Sequence, residues 1–276
     1  MSRRARWAVY AVLTLLAVPF VFPTWWMVTT SVKPLNQVFE FPPRLLPADW
    51  SLAPYREAFE RQPFLTQYWN SLYIAVLVTV GTLVVATLAG YAFARIRFPG
   101  QNVLFVVVLT GLLVPSEVTI VPLFRLMNAL DLIDTHWPLI LIPTFGAPSV
   151  FATFIMRQFF VTLPTDMEEA GRLDGLGRIG LFRYTALPLA GPALGAVAIV
   201  TFLHSWNLFL EPLVFLSTQD KFTLPVALTQ YSDVNSEPLW NVQLAATTMT
   251  ALPVLLLFVL LQRQFVEGLA RTGAKG

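Results

Sequence analysis

Cysteine is absent from this chain, which excludes disulfides, thiolate metal sites and cysteine nucleophiles together. Histidine is scarce: His136 and His204 are the only 2, and they do not stand at metal-ligand spacing. Charge is scarce as well. Asp, Glu, Lys and Arg make up 12% of the residues, where a soluble domain carries about 25%, so there is too little polar surface to coat a globule in water. No G-x-x-x-x-G-K-[ST] phosphate loop occurs, and no catalytic constellation stands out. The chain is therefore expected to be no enzyme and to hold no cofactor or metal, and no nucleic-acid partner is expected.

What the chain has in abundance is apolar surface. It is 56% hydrophobic, with a mean hydropathy of +0.64, and its charges are clustered between long apolar stretches. That pattern belongs to a protein solvated by membrane lipid. A membrane-spanning helix needs about 20 mostly apolar residues, and six stretches qualify: 9–31, 68–94, 103–122, 137–156, 187–209 and 240–261. The first follows Arg3, Arg4 and Arg6, as a signal peptide would. It is too long for one, carries Trp25 and Trp26 at its far end and lacks a small-residue cleavage site, so it is read as a retained anchor. With both termini placed in the cytoplasm, 12 of the 18 Lys and Arg residues fall on the cytoplasmic side and 6 outside, as the positive-inside rule prefers. The predicted fold class is all-α, with six spans and cytoplasmic ends. Residues 1–66 form an anchor helix and outer loop, 67–262 a five-helix core with a loop at 158–186, and 263–276 a cytoplasmic tail.

The loops differ in kind. Residues 33–66 contain six prolines, which prevents one continuous helix, although 55–61 could form a short interfacial one. Pro99-Gly100 marks a turn between antiparallel helices. Leu123, Leu126, Met127 and Leu130 have helical spacing and predict a short amphipathic helix in the second outer loop. The third outer loop, 211–239, contains an extended-looking run at 222–226.

The most informative loop lies between spans four and five. Thr165 and Glu168 have the spacing of a capping box, which predicts a helix start. Asp166, Glu168 and Glu169 suit its first turn, Glu168 and Arg172 form an i,i+4 pair, and Gly175 or Gly177 offers a stop. Two readings stay open from the residues alone. The segment is either a capped surface helix that only links two spans, or a docking element for a soluble partner.

Glu169, Ala170, Gly175, Leu187 and Pro188 match, at the expected spacing, the E-A-A-x3-G-x9-I-x-L-P pattern. The segment thus resembles the EAA loop of ATP-binding-cassette importer permeases. Gly171 stands in place of the second alanine and Thr185 in place of the isoleucine. Further segments, among them Ala92-Phe93-Ala94-Arg95, Arg97-Phe98-Pro99-Gly100, Trp206-Asn207-Leu208-Phe209 and Gln262 to Leu269, resemble sugar-importer permeases of the maltose and glycerol-3-phosphate type. This resemblance implies a type I importer permease fold in the plasma (inner) membrane of a prokaryote. It implies a heterodimer with a second homologous permease, two cytoplasmic ABC ATPase subunits, and an extracytoplasmic sugar-binding protein that meets the outer loop near 222–231. It also implies that the loop couples to the ATPases through Glu168, Glu169, Ala170, Gly171, Asp174, Gly175, Leu187 and Pro188, and that the tail touches them.

Polar groups within spans are costly and are candidates for function. Asn70, Trp206, Asn207 and Glu211 offer amide, carboxylate and aromatic chemistry suited to a sugar path. Interhelical hydrogen bonding and interfacial snorkelling are the competing roles. An ion-coupled secondary transporter or channel is the rival class. It would call for paired intramembrane charges or broken helices around an ion site, whereas the acids here are scattered.

Overall fold

The computed structural model describes residues 3–232 and 237–273, and its regular elements are helices. The tail expected to meet the ATPases ends, with Lys275, outside the described residues. Contacts divide the chain into two compact units, Met1–Leu65 with Val226–Leu252, and Thr66–Pro225 with Pro253–Gly276.

The first unit opens with α1, Arg3–Thr30, an apolar helix exposed along most of its length. A helix of that composition without a protein neighbour is at home in lipid. The proline-rich stretch behind it contains α2, Ala53–Arg61, close to the predicted 55–61 helix. Polar groups bind this stretch together. Ser31 Oγ lies 2.8 Å from the Tyr55 hydroxyl, the Tyr231 hydroxyl donates to the Ala58 carbonyl at 3.0 Å, and the Asn241 amide donates to the Lys33 carbonyl at 3.3 Å. Lys33 itself is buried. Its Nζ donates to the Arg44 carbonyl at 2.7 Å and sits 4.5 Å from the centre of a Trp26 ring, and burial lowers its pKa against an opposing pull from Glu40.

The second unit is built on α3, Phe64–Arg95, whose 32 residues rise about 48 Å at about 1.5 Å each, more than a hydrocarbon core of about 30 Å. Then come α4, Gln101–Thr110, a 3-10 turn at Gly111–Leu113 and α5, Ser116–Ala129. Next are α6, Trp137–Phe145, and α7, Ala147–Val161, which together make one apolar stretch, Trp137–Val161. The loop helix α8, Thr165–Leu173, leads to α9, Arg178–Leu189, which is π-helical at Leu181–Ala186. Helices α10, Gly191–Trp206, and α11, Leu210–Phe215, precede the third outer loop, and α12, Trp240–Gly273, continues from the first unit into the second.

Among the described residues, three helices are long and apolar enough to cross a membrane: Ala5–Thr30, Phe64–Arg95 and Trp137–Val161. Two bent pairs raise the number to as many as five. The predicted continuous spans at 103–122 and 187–209 are therefore both broken. The first bends by 98° between Gln101–Leu113 and Ser116–Ala129. Pro115 has no N–H to continue the ladder and drives Val114 into extended backbone, with ψ 116°. The second bends by 76° across Ala190, where Gly191-Pro192 opens a new helix. The extended run predicted at 222–226 is also short-lived, because a helical turn forms at Leu224–Ala227.

Among the described residues of the second unit, two apolar clusters stand out. One joins Tyr91, Met156, Phe160 and Val197 to five buried alanines, whose small size lets the helices approach closely. At Gly90 the approach is closest: a Cβ there would lie 2.7 Å from Met156 Cβ and 2.9 Å from the Arg157 nitrogen. The other cluster gathers Ile74, Val78, Met127, Leu139, Leu208, Phe215 and Leu216 around the N-terminal half of α3.

Candidate functional site

The loop helix α8 begins after Pro164, which is extended at φ −60° and ψ 135°, with no side-chain cap. The predicted capping box does not form. Glu168, its second member, is turned inward and buried, so its carboxylate is unavailable to the helix start. The far end follows expectation. Gly175 takes φ +84°, a left-handed conformation that a side chain would strain, and the Leu176 N–H reaches the Gly171 carbonyl at 2.9 Å while the Gly175 N–H reaches Arg172 at 3.0 Å. Gly171 has its own reason: a Cβ there would lie 2.7 Å from Leu181 Cδ2. Glycine in the alanine position lets α9 pack directly on α8.

Glu169, Ala170, Asp174 and Gly175 are exposed, as is Pro188, while Leu187 is half-buried near the end of α9. The same surface carries Leu173, 90% exposed, and Ile179, 82% exposed. Sequence reasoning passed over both, because one apolar residue per turn looks ordinary until its burial is known.

Beneath α8 lies a buried arginine. Arg95, the last residue of α3, donates through Nε and Nη2 to the Phe160 carbonyl at 2.9 and 2.7 Å, and through Nη2 also to the Leu163 carbonyl. Its Nε lies 3.4 Å from Glu168 Oε1, with both side chains about 90% buried. Arg172 approaches the other Glu168 oxygen at 3.8 Å but is largely exposed, so it contributes little. A cavity of about 680 Å³ opens beside this contact, bordered by Arg95, Arg97, Arg157, Glu168 and Glu169.

The four candidate path residues are not brought together. Asn70 is buried and donates to the carbonyls of Asp220 at 2.8 Å and Phe222 at 3.2 Å. Trp206 is buried between Tyr68, at 5.7 Å edge-on, and Phe202, stacked at 5.7 Å. Asn207 is exposed and returns its amide to the Leu203 carbonyl at 2.8 Å. Glu211 alone of the four lines a second cavity, of about 810 Å³, with Ser116, Thr119, Thr201 and His204 in otherwise apolar walls.

Asn70 belongs instead to a set of groups that pins residues 217–224. Gln67 donates to the Gln219 carbonyl at 3.2 Å, and Ser71 Oγ accepts the Leu224 N–H at 2.7 Å. Asp134 accepts the N–H groups of Ser217 and Thr218, the Thr218 hydroxyl and Lys221 Nζ, the last at 2.8 Å. The Lys221 ammonium and the Thr218 hydroxyl hold the Asp134 carboxyl well below the usual carboxylate range. His136 pairs through Nε2 with the Lys221 carbonyl at 2.7 Å and through Nδ1 with the Tyr73 hydroxyl. Sequence reasoning missed Asp134, and its sole local signal is its place in a polar turn with φ 55°.

Residues 83–271 match the family described as binding-protein-dependent transport system inner membrane component. This chain belongs to that family. It is a membrane-embedded permease, the non-catalytic transport component of an ATP-binding-cassette importer. It is 36% identical over 266 residues to the arabinooligosaccharides transport system permease protein AraQ of Halalkalibacterium halodurans, covering 93% of this chain and 91% of the relative. It is also 33% identical over 280 residues to the trehalose transport system permease protein SugB of Mycobacterium tuberculosis, covering 100% and 99%. With the inner membrane ABC transporter permease protein YcjP of Escherichia coli it shares 33% identity over 270 residues, covering 97% and 95%. In fold the permease resembles a chain in the crystal structure of a bacterial ABC transporter involved in alginate import, with a TM-score of 0.81, 24% identity, and coverage of 95% of this chain and 98% of the other. The family match contains Arg95, the whole of α8 and both cavities.

Proposed function

We propose that this permease imports a sugar or sugar derivative, and that α8 is its seat for a cytoplasmic ABC ATPase subunit. One observation carries the docking claim. A nine-residue helix with a glycine-terminated end presents Glu169, Ala170, Leu173 and Asp174 outward, while its inner face is fastened to the membrane helices through Glu168 and Arg95. An isolated linker has no need of exposed leucine beside a rigid stop. A protein surface that covers it does. The sugar class is supported by the names of the relatives, which transport arabinooligosaccharides and trehalose.

In this reading the chain crosses the membrane six times, with the apolar part of α12 as the last span and both ends cytoplasmic. Support comes from the 12-to-6 division of Lys and Arg. A second, homologous permease completes the pathway as a heterodimer. Two ATPase subunits drive it, and an extracytoplasmic binding protein delivers the sugar to the outer loop near 222–231. Glu211, in the larger cavity, is the candidate of the four that stands beside open space, and it is assigned to the substrate path. The test is uptake into vesicles carrying the full complex, with trehalose, maltose and arabino-oligosaccharides offered in turn. Uptake that requires ATP and the binding protein is expected. Uptake that continues without ATP would replace this reading with an ion-coupled carrier.

A further inference from the structure

Helices α3 and α7 close each other's ends. The last carbonyls of a helix lack intrahelical donors and carry partial negative charge, so a cation placed there is stabilising. Arg95 of α3 donates to Phe160 and Leu163 at the end of α7. Arg157 of α7 donates in return to the Phe93 carbonyl at the end of α3, at 3.1 Å, while its guanidinium lies 4.2 Å from the centre of the Phe105 ring in α4. Gln101 donates to the same Phe93 carbonyl at 2.7 Å. Between the two caps, Gly90 leaves no space for a Cβ against Met156, and Tyr91 meets Phe160 edge-on at 5.5 Å. Two helices that share their end caps and touch backbone to backbone move as one body.

Helix α8 joins that body by its one buried charge, Glu168. We infer that Arg95 is a positioning residue that makes α3 and α7 follow α8, hydrogen-bonded to the Phe160 and Leu163 carbonyls and paired by charge with Glu168 at 3.4 Å. The inference rests on the proposed docking of α8 against an ATPase. Guanidinium suits the task because its donors fan out in a fixed plane, whereas a lysine ammonium is a point charge that cannot span both carbonyls and the carboxylate.

The absence of cysteine permits a direct test. Nitroxides are attached at Asp166→Cys, on the exposed face of α8, and at Asn102→Cys, exposed in the first turn of α4, which Gln101 ties to the Phe93 carbonyl of α3. The assembled complex is measured without nucleotide and trapped with ATP and vanadate. With Arg95 intact, the distance between the labels is expected to stay unchanged on trapping. With Arg95→Gln it is expected to shift beyond the width of the starting distribution, and with Arg95→Lys to shift less. Exchange of the charges, Arg95→Glu with Glu168→Arg, should fail to restore the fixed distance, since a carboxylate cannot cap carbonyls. If Arg95→Gln does not assemble, Glu168→Gln, which leaves the carbonyl caps in place, is expected to give the same shift. A distance that changes equally with Arg95 or Glu168 intact and substituted overturns the inference. Capture of the ATPase by Glu169→Lys membranes separates the two claims. Loss of the ATPase upholds docking whatever the distances show, and its retention removes docking and the Arg95 inference with it.

Discussion

Two segments of the second unit face opposite demands and are built in opposite ways. Residues 217–224 are held by Gln67, Asn70, Ser71, Asp134 and His136, mostly through short bonds to backbone groups. Helix α8 is held by one buried carboxylate, 3.4 Å from its arginine, and by the packing of Leu181 on Gly171. The first arrangement spreads its energy over many contacts, so no single loss releases the segment. The second concentrates it, so the helix can be displaced and can carry the displacement inward. The difference suits the proposed roles, a platform for the binding protein at 217–224 and a lever for the ATPase at α8.

Substitution at the lever should have the largest effect. Gly175→Trp forces a bulky residue into φ +84° at the proposed docking face, and a loss of about 3 kcal/mol, or about a hundredfold weaker ATPase capture, is expected. Co-purification of the ATPase with membranes carrying the variant measures it, and unchanged capture would place docking elsewhere. Next is Glu168→Ala, which strips Arg95 of its buried partner. The cost is about 2–3 kcal/mol, below that of a tight buried pair because the carbonyls still hold the arginine. It reads as a lowered unfolding temperature of the purified complex. Asn70→Ala removes two bonds from the platform at about 1–2 kcal/mol. Faster amide exchange confined to 219–224, with ATPase capture intact, is the expected signature.

The smallest effect is one of pH. Asp134 has a folded pKa below its unfolded value, near 3.9 for an ordinary aspartate. Its contribution is therefore fully present above about pH 4 and fades as the carboxylate takes up its proton at lower pH. Asp134→Asn should loosen 217–221 at neutral pH by about 1 kcal/mol, and the difference from the native chain should shrink below about pH 4. Amide exchange across that range measures it. A difference that persists in acid would assign the clamp to shape instead of charge.

The all-helical class, the apolar stretches and the exposed loop helix were legible in the sequence, since hydropathy and a left-handed glycine are local properties. Gly175 ends α8 for the reason its type suggests. The bends at Pro115 and Ala190 were hidden, because a proline within an apolar run either packs or breaks the helix, and the neighbours that decide are distant in the chain. Glu168 has the spacing of a cap, yet its partner Arg95 is supplied by another helix. Asn70 misled in the same way: an amide in a span suggests substrate, whereas its acceptors lie 150 and 152 residues further along. Polar side chains announce that they need a partner but not which one.

The π-helical segment Leu181–Ala186 lies between the loop helix and the break at Ala190. Such a segment accommodates a residue beyond the α-helical count. Deleting that residue would let the helix relax to regular α geometry with its flanks kept nearly in phase, whereas a further residue that was not absorbed would turn everything after it by about 100°. The apolar face of α10 would then point away from Ala152 and Met156, its neighbours in the alanine-rich cluster. The π turn therefore sets the phase of this short connection, and the chain should accept changes of side chain along it, or the loss of one residue, far more readily than an added residue.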